Sequence, residues 1–206
     1  MRIGVCSDIH GHADRLELVI AQMRDAGVDE RWCLGDLVGG PDVVEVVRLV
    51  RKFDLCLMGN HDAWMLMGRA WPADAAKLRG KDALWLASLK PLASRHGVRC
   101  WHGSPSQPLF RFFDTTAALE ELFDLAPGTT SLVGHTHVPI AYARHGQHVF
   151  EINPEPGETI PLAPDWAVVA NPGPVGGEAD ARETRWLELD LESGKRSLRW
   201  HGASSR

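Results

Sequence analysis

Short apolar runs alternate with longer amphipathic ones through the first half of the chain. Arg2–Cys6 is a strand-like run that ends in Ser-Asp. From Ala13 to Ala26, Leu16, Val19, Ile20 and Met23 recur at helical spacing, and Gly27 supplies a stop. Residues 32–34 form a second run, ending in Gly35-Asp36. Pro41 suits a helix start, and Val43–Val50 continues that helix. Residues 55–58 are a third run, ending in Gly-Asn-His-Asp. Strand, polar loop, helix, strand is the order that predicts an α/β layer structure.

The middle is less regular. Residues 63–92 read as helical pieces interrupted by Pro72, Gly80 and Pro91. Val98–Trp101 is a strand ending in His-Gly-Ser-Pro. Residues 115–125 form an amphipathic helix that Pro127-Gly128 ends, and residues 131–133 are a strand entering Gly-His-Thr-His. The character then changes. Residues 139–143, 148–152, 167–170, 185–189 and 197–200 read as short strands, with proline and glycine dense from 153 to 177. This β-rich half is expected to complete a second sheet. No internal repeat or low-complexity tract interrupts the pattern.

Length and charge narrow the classes. With 206 residues the chain can build one sizeable core, so a single domain over 1–206 is expected. The net charge is −5 and no lysine-arginine run stands out, which argues against a broad nucleic-acid surface. A narrow phosphate site stays open, because metal ions can supply positive charge locally. No apolar signal core precedes the first strand and no stretch reaches membrane-span length, so no membrane association and a cytoplasmic location are expected. Cys6, Cys33, Cys56 and Cys100 lie in or beside apolar runs without CxxC spacing; they read as buried free thiols.

The chemistry sits at the ends of the runs. Five of them end in metal-ligand residues: Asp8 and His10; Asp36; Asn60, His61 and Asp62; His102; and His135 and His137. Loops at the carboxyl ends of strands in α/β sheets line one crevice, so the five clusters can converge. If Asp8-x-His10 is extended, both side chains point to one side as a chelate, and His135-x-His137 repeats the device. Asp36, alone in its cluster and carrying two carboxylate oxygens, is the natural bridge between two ions. Imidazole, carboxylate and one amide oxygen suit manganese, iron or zinc better than magnesium or calcium. The absence of cysteine from the clusters argues against a structural zinc site. Gly35, Gly59, Gly103 and Gly134 would allow sharp turns and close backbone approach beside them. Taken singly, Asp-x-His or Gly-Asp is most often a turn. Taken together, a dimetal site explains every polar cluster at once, whereas a structural origin needs a separate reason for each.

The ordered set SDIHG, GDLVG, GNHD, HGSP and GHTH resembles the calcineurin-like metallophosphoesterases, in particular the small bacterial branch related to diadenosine tetraphosphatases and PP2A-type phosphatases. The closing NPGPVG is similar to that branch's Asn-Pro-Gly-Ser-Val-Gly. The resemblance implies a four-layer α/β/β/α sandwich of two mixed sheets flanked by helices. It implies that Asp8, His10, Asp36 and His137 hold one metal, and that Asp36, Asn60, His102 and His135 hold a second. Manganese is the first choice, with iron or zinc as alternatives. His61 would face the substrate as a catalytic group, with Asp62 orienting it. A hydroxide bridging the metals would attack a phosphomonoester, phosphodiester or dinucleoside polyphosphate, and His61 would assist at the leaving group or phosphoryl oxygens. The expected partner is a small phosphorylated substrate, with nucleotides among the candidates. His12, the short Val38–Pro41 loop and Pro174 depart from the branch's pattern but spare every implied ligand.

Two segments tempt further readings. Trp64, Met65, Leu66, Met67 and Trp71 could form an apolar wall for a nucleobase or aryl group, though a packed helix is the ordinary reading. Arg111 could hold a second phosphate, though an exposed arginine needs no such role. The alternative to an enzyme is a protein-binding scaffold on the same fold, as in a retromer subunit; such a protein should have lost ligands, and none is missing here. A metallo-β-lactamase relative would need His-x-His-x-Asp-His, which is absent.

Overall fold

The computed structural model describes residues 1–110, 115–176, 183–192 and 195–204. Arg111 lies outside them. The first half builds β1 (Arg2–Cys6), α1 (Ala13–Ala26), β2 (Glu30–Cys33), α2 (Val43–Val50) and β3 (Leu55–Cys56). Three short helices follow: α3 (Asn60–Leu66), α4 (Pro72–Lys77) and α5 (Lys81–Ser88). Pro72 starts α4 rather than breaking a helix, as its fixed φ and missing N–H allow at a first turn. Next come β4 (Leu92–Arg95), β5 (Val98–Trp101), α6 (Thr115–Asp124) and β6 (Thr130–Leu132). The chain closes with β7 (Ile140–His145), β8 (His148–Ile152), β9 (Thr159–Leu162), β10 (Ala167–Asn171), β11 (Glu183–Glu192) and β12 (Lys195–Ser204).

The strands form two mixed six-stranded sheets, ordered β3-β2-β1-β11-β12-β9 and β4-β5-β6-β10-β7-β8. The β-rich half therefore does not complete one sheet only. It gives β7, β8 and β10 to the second and returns β9, β11 and β12 to the first, where β11 runs antiparallel to β1. Strands β4 and β9 are missing from the sequence pattern. Pro161 lies within β9, which is tolerated because β9 is an edge strand.

Side-chain alternation sorts the core into three apolar layers. From β1 and β2, Ile3, Val5 and Trp32 meet Val98, Leu132, Val168 and Ala170 of the second sheet between the sheets. On the other face, Cys6 and Cys33 pack with Leu16, Val19 and Met23 of α1 and the valines of α2. Outside the second sheet, Trp101, Tyr142 and Val169 pack on Ala117 and Leu122 of α6. Three interlayer cores between four layers make the α/β/β/α sandwich. Cys6, Cys33 and Cys56 are register neighbours across β1, β2 and β3, and all four cysteines are free thiols. Among the described residues no helix is long and apolar enough to cross a membrane.

This frame places the site. Strands β1, β2 and β3 are parallel to one another, as are β5 and β6. Their carboxyl ends release the loops that carry Asp8, Asp36, Asn60, His102, and His135 with His137.

Candidate metal centre

The loops are tied together through their backbones. The Asp8 N–H donates to the Gly35 carbonyl at 3.0 Å, and the N–H groups of Ile9 and His10 both reach the Asp36 carbonyl. The Gly134 N–H donates to the His102 carbonyl at 2.9 Å, which joins β5's loop to β6's. Gly59 lies so close to Asp36 that a Cβ there would run into the Asp36 nitrogen and Oδ1. No larger residue fits without moving that loop.

Five of the predicted ligands share a backbone feature: Asp8, His10, Asp36, His135 and His137 all have φ between 48° and 69°. Asp and His tolerate this left-handed region better than most residues, but it still costs energy, and such outliers gather at functional sites. The expected extended Asp8-x-His10 chelate is therefore not what forms. The turn itself, not strand alternation, points the two side chains inward. His135 and His137 do not act as one chelate either. His137 groups with Asp8 and His10, whereas His135 groups with Asp36 and His102.

The ligand atoms within each group lie within 4.8 Å of one another, and Asp36 also groups with His10 and His61. The Asp36 Oδ1 accepts the His61 N–H at 2.8 Å. Its Oδ2 faces three imidazoles: His102 Nε2 at 3.5 Å, His10 Nε2 at 3.8 Å and His61 Nε2 at 3.9 Å. A single oxygen, not the two anticipated, is thus presented to both sides. His10 Nδ1 donates to the Val38 carbonyl at 3.3 Å, and His102 Nδ1 to that of Leu34 at 2.8 Å. Each bond turns Nε2 inward. His10 Nε2 then lies 3.1 Å from His137 Nε2, and His102 Nε2 lies 2.9 Å from Asn60 Oδ1.

Charge follows geometry. Burial opposes ionisation of Asp36, but His102 and the flanking histidines hold its carboxyl below the usual range. Burial likewise opposes ionisation of Asp8, yet the bond with His137 and the His102 charge keep it low. Burial disfavours charge on His102 too, but the Asp36 carboxylate raises it to about 10. Burial, then the His102 charge, push His135 down to about 4. A proton on His102 thus offsets two buried carboxylates where Nε2, Asn60 Oδ1 and Asp36 Oδ2 converge. A divalent cation satisfies the same donors with more charge, so the donor set fits metal ions.

The hydrogen bonds of Asp62 go to backbone and not to the His61 ring. Asp62 is fully buried, and its carboxylate accepts the N–H groups of Gly59 at 2.9 Å, Asp36 at 3.1 Å, Leu37 at 2.9 Å and Val38 at 3.2 Å. These bonds shape the Asp36 loop rather than orient the His61 ring, whose Nδ1 is buried with no hydrogen-bond partner. Burial and the Asp36 charge push Asp62 up to about 7. What braces His61 is Trp71, stacked on it at 4.3 Å between centroids. Sequence reading also missed Asn171. Its Nδ2 donates to the Gly134 carbonyl at 2.8 Å, while Val175 and Gly176 donate to the carbonyls of Ser7 and Asp8. NPGPVG thus clamps two ligand loops, which the motif's presence signals without revealing how. His96, His145 and His201 lie outside the centre and pair with Glu30, Asp165 and Glu188.

A cleft of about 320 Å³ opens over the centre, lined by Asp36, Asn60, His61, Trp64, His135, Thr136 and His137. Larger concavities elsewhere, such as that between Arg48, Arg51 and Lys81, contain none of the clustered ligands.

Two sheets, clustered Asp and His side chains at parallel strand ends and a polar cleft are the arrangement expected of a metal-dependent phosphoesterase. The chain belongs to the calcineurin-like phosphoesterase superfamily, whose domain model matches residues 1–194, and metal-dependent phosphoester hydrolysis is the activity this family implies. A metallophosphoesterase from Sphaerobacter thermophilus has a similar structure, with a TM-score of 0.82 and 29% identity, covering 100% of this chain and 90% of that one. An uncharacterized protein of Methanocaldococcus jannaschii is 26% identical over 196 residues, covering 86% of this chain and 77% of the relative. A symmetrical bis(5'-nucleosyl)-tetraphosphatase of Sodalis glossinidius is 45% identical over 64 residues, which span 29% of this chain and 23% of that protein.

Proposed function

We propose that residues 1–206 act as a single-domain, two-metal phosphoesterase on a small phosphorylated substrate. The observation that carries this reading is Asp36 Oδ2, which faces imidazoles from three separate loops at 3.5–3.9 Å. Asp8, His10, Asp36 and His137 would hold one ion, and Asp36, Asn60, His102 and His135 the other. Manganese suits this donor set, with iron and zinc next. Bound ions of this kind supply Lewis acidity and an acidified water.

The remaining chemistry belongs to the chain. His61 presents Nε2 to the cleft and is not a ligand in this reading. Held flat by Trp71, it places a proton donor at the leaving oxygen or steadies charge on the phosphoryl group. Burial lowers its pKa, so the free ring is neutral near pH 7 and can donate through one nitrogen only. Asp62 and Asn171 hold the ligand loops in register before substrate arrives. The tetraphosphatase relative makes a dinucleoside polyphosphate one substrate to try, beside simple mono- and diesters.

The test is to strip the protein of metal and add back manganese, iron, zinc or magnesium in turn. Aryl monoesters, aryl diesters and dinucleoside polyphosphates are then assayed. Hydrolysis of at least one class, restored by a transition metal at two equivalents per chain, is the expected result. No hydrolysis with any metal would remove the enzymatic reading.

A further inference from the structure

Aromatic rings form a continuous ladder leading out of the metal cleft. His61 stacks on Trp71 at 4.3 Å with 20° between planes. Trp71 is near-parallel to Trp64 at 6.3 Å and 20°, and Trp64 to Phe110 at 6.0 Å and 16°. These separations are in the range of offset aromatic pairs, and Trp64 and Trp71 are both only partly buried. Trp64 lines the same cleft as Asp36, Asn60 and His61. It is not sealed into the core, and Phe110, one step further out, is 45% exposed. The ladder is held at a cost, since Trp71 adopts φ 49°, a conformation bulky residues avoid. Trp71 also packs against the core beneath α1 and α2, whereas Phe110 at the far end of the ladder is open to solvent.

We propose that Trp64 and Phe110 form a stacking platform for a planar aromatic group on the substrate, so that the enzyme prefers phosphoesters of nucleosides or aryl alcohols over alkyl ones. This rests on the phosphoesterase reading of the same cleft. Stacking recognises any π-face, so it confers a class preference rather than selection of one base. Trp64 lies 5.4 Å from His61 between ring centroids, so a ring stacked on Trp64 would sit beside the group assigned here to the leaving oxygen. Trp71 has a different part: it positions His61 and supports Trp64 from behind.

The experiment is calorimetric titration of the manganese-loaded protein with three phosphonates that cannot be hydrolysed. These are methylphosphonate, phenylphosphonate and the 5′-methylenephosphonate analogue of adenosine monophosphate. In the wild type the ring-bearing probes should bind about 5- to 100-fold tighter than methylphosphonate, the range expected for one stacked ring. Trp64→Ala should erase that advantage, Trp64→Phe should keep most of it, and Phe110→Ala, at an exposed position that leaves the core intact, should reduce it. Tighter binding of the adenosine probe than of phenylphosphonate would assign the platform to nucleotides; the reverse order would assign it to aryl esters. Equal affinity for all three probes in the wild type would overturn the platform while leaving the phosphoesterase reading intact. So would a loss in Trp64→Ala that is the same for all three. Failure of every phosphonate to bind the metal-loaded wild type would instead remove the phosphoesterase reading, and the platform with it.

Discussion

The buried carboxylate of Asp62 accepts the backbone N–H of Asp36 at 3.1 Å, one of four N–H groups it gathers from two ligand loops. A side chain next to His61 in sequence thus acts on a residue 26 positions away. Removing it leaves several buried donors without partners, each a cost of about 1–3 kcal/mol before relaxation. Asp62→Ala should therefore lower stability by roughly 3 kcal/mol in total, or a Tm drop of about 6–12 °C for a chain of this size. Calorimetry of the metal-free protein checks this. An unchanged Tm with lost turnover would mean that Asp62 serves His61 after all.

His61 and Asp36 should separate catalysis from metal binding. His61→Ala is expected to keep its metal content and lose about 10²–10⁴-fold in kcat, the usual span for a positioned acid or base. Asp36→Ala should instead fail to retain metal. Elemental analysis beside steady-state kinetics reads both. Metal loss in His61→Ala would make His61 a ligand, a role its place in the group with His10 and Asp36 would permit.

Acid should expose a clasp between the sheets. Glu30 of β2 accepts Arg95 Nε and Nη2 from β4 at 2.9 and 2.8 Å, and also bonds His96 and Trp32. The Arg95 bonds above all hold its carboxyl at about 2, below an ordinary 4.5. A depressed folded pKa stabilises the protein above the unfolded value and loses that contribution as pH falls from about 4.5 through 2. The group is solvent-screened, so the effect is no more than about 1 kcal/mol. Relative to Glu30→Gln, the wild type should be more stable at pH 7, and the gap should close by pH 2. Parallel stability curves across that window would refute the clasp.

Much of this was legible because the polar clusters sit at strand ends, and strand ends are where loops converge in α/β sheets. Asp8, His10, Asp36, Asn60, His102, His135 and His137 all meet around one centre. The local geometry was not legible. Asp8 and His137 turn inward through positive φ, which residue type permits but does not announce. The bonds of Asp62 to the backbone of Gly59, Asp36, Leu37 and Val38 were not legible either, because backbone groups carry no sequence signal. Strand β9 was hidden by Pro161, and the return of β11 to β1 is a pairing across more than 180 residues that local pattern does not encode. Sequence pattern alone does not distinguish an apolar wall at Trp64 from an ordinary packed helix; in the structure Trp64 lines the cleft.

The most direct measurement is an anomalous difference map from a crystal grown with manganese. Two peaks about 4 Å apart, with Asp36 Oδ2 between them, are predicted. One set of ligands should be Asp8, His10 and His137, and the other Asn60, His102 and His135. A single peak, or none at millimolar manganese, would contradict a centre in which seven side chains hold two cations around one shared carboxylate.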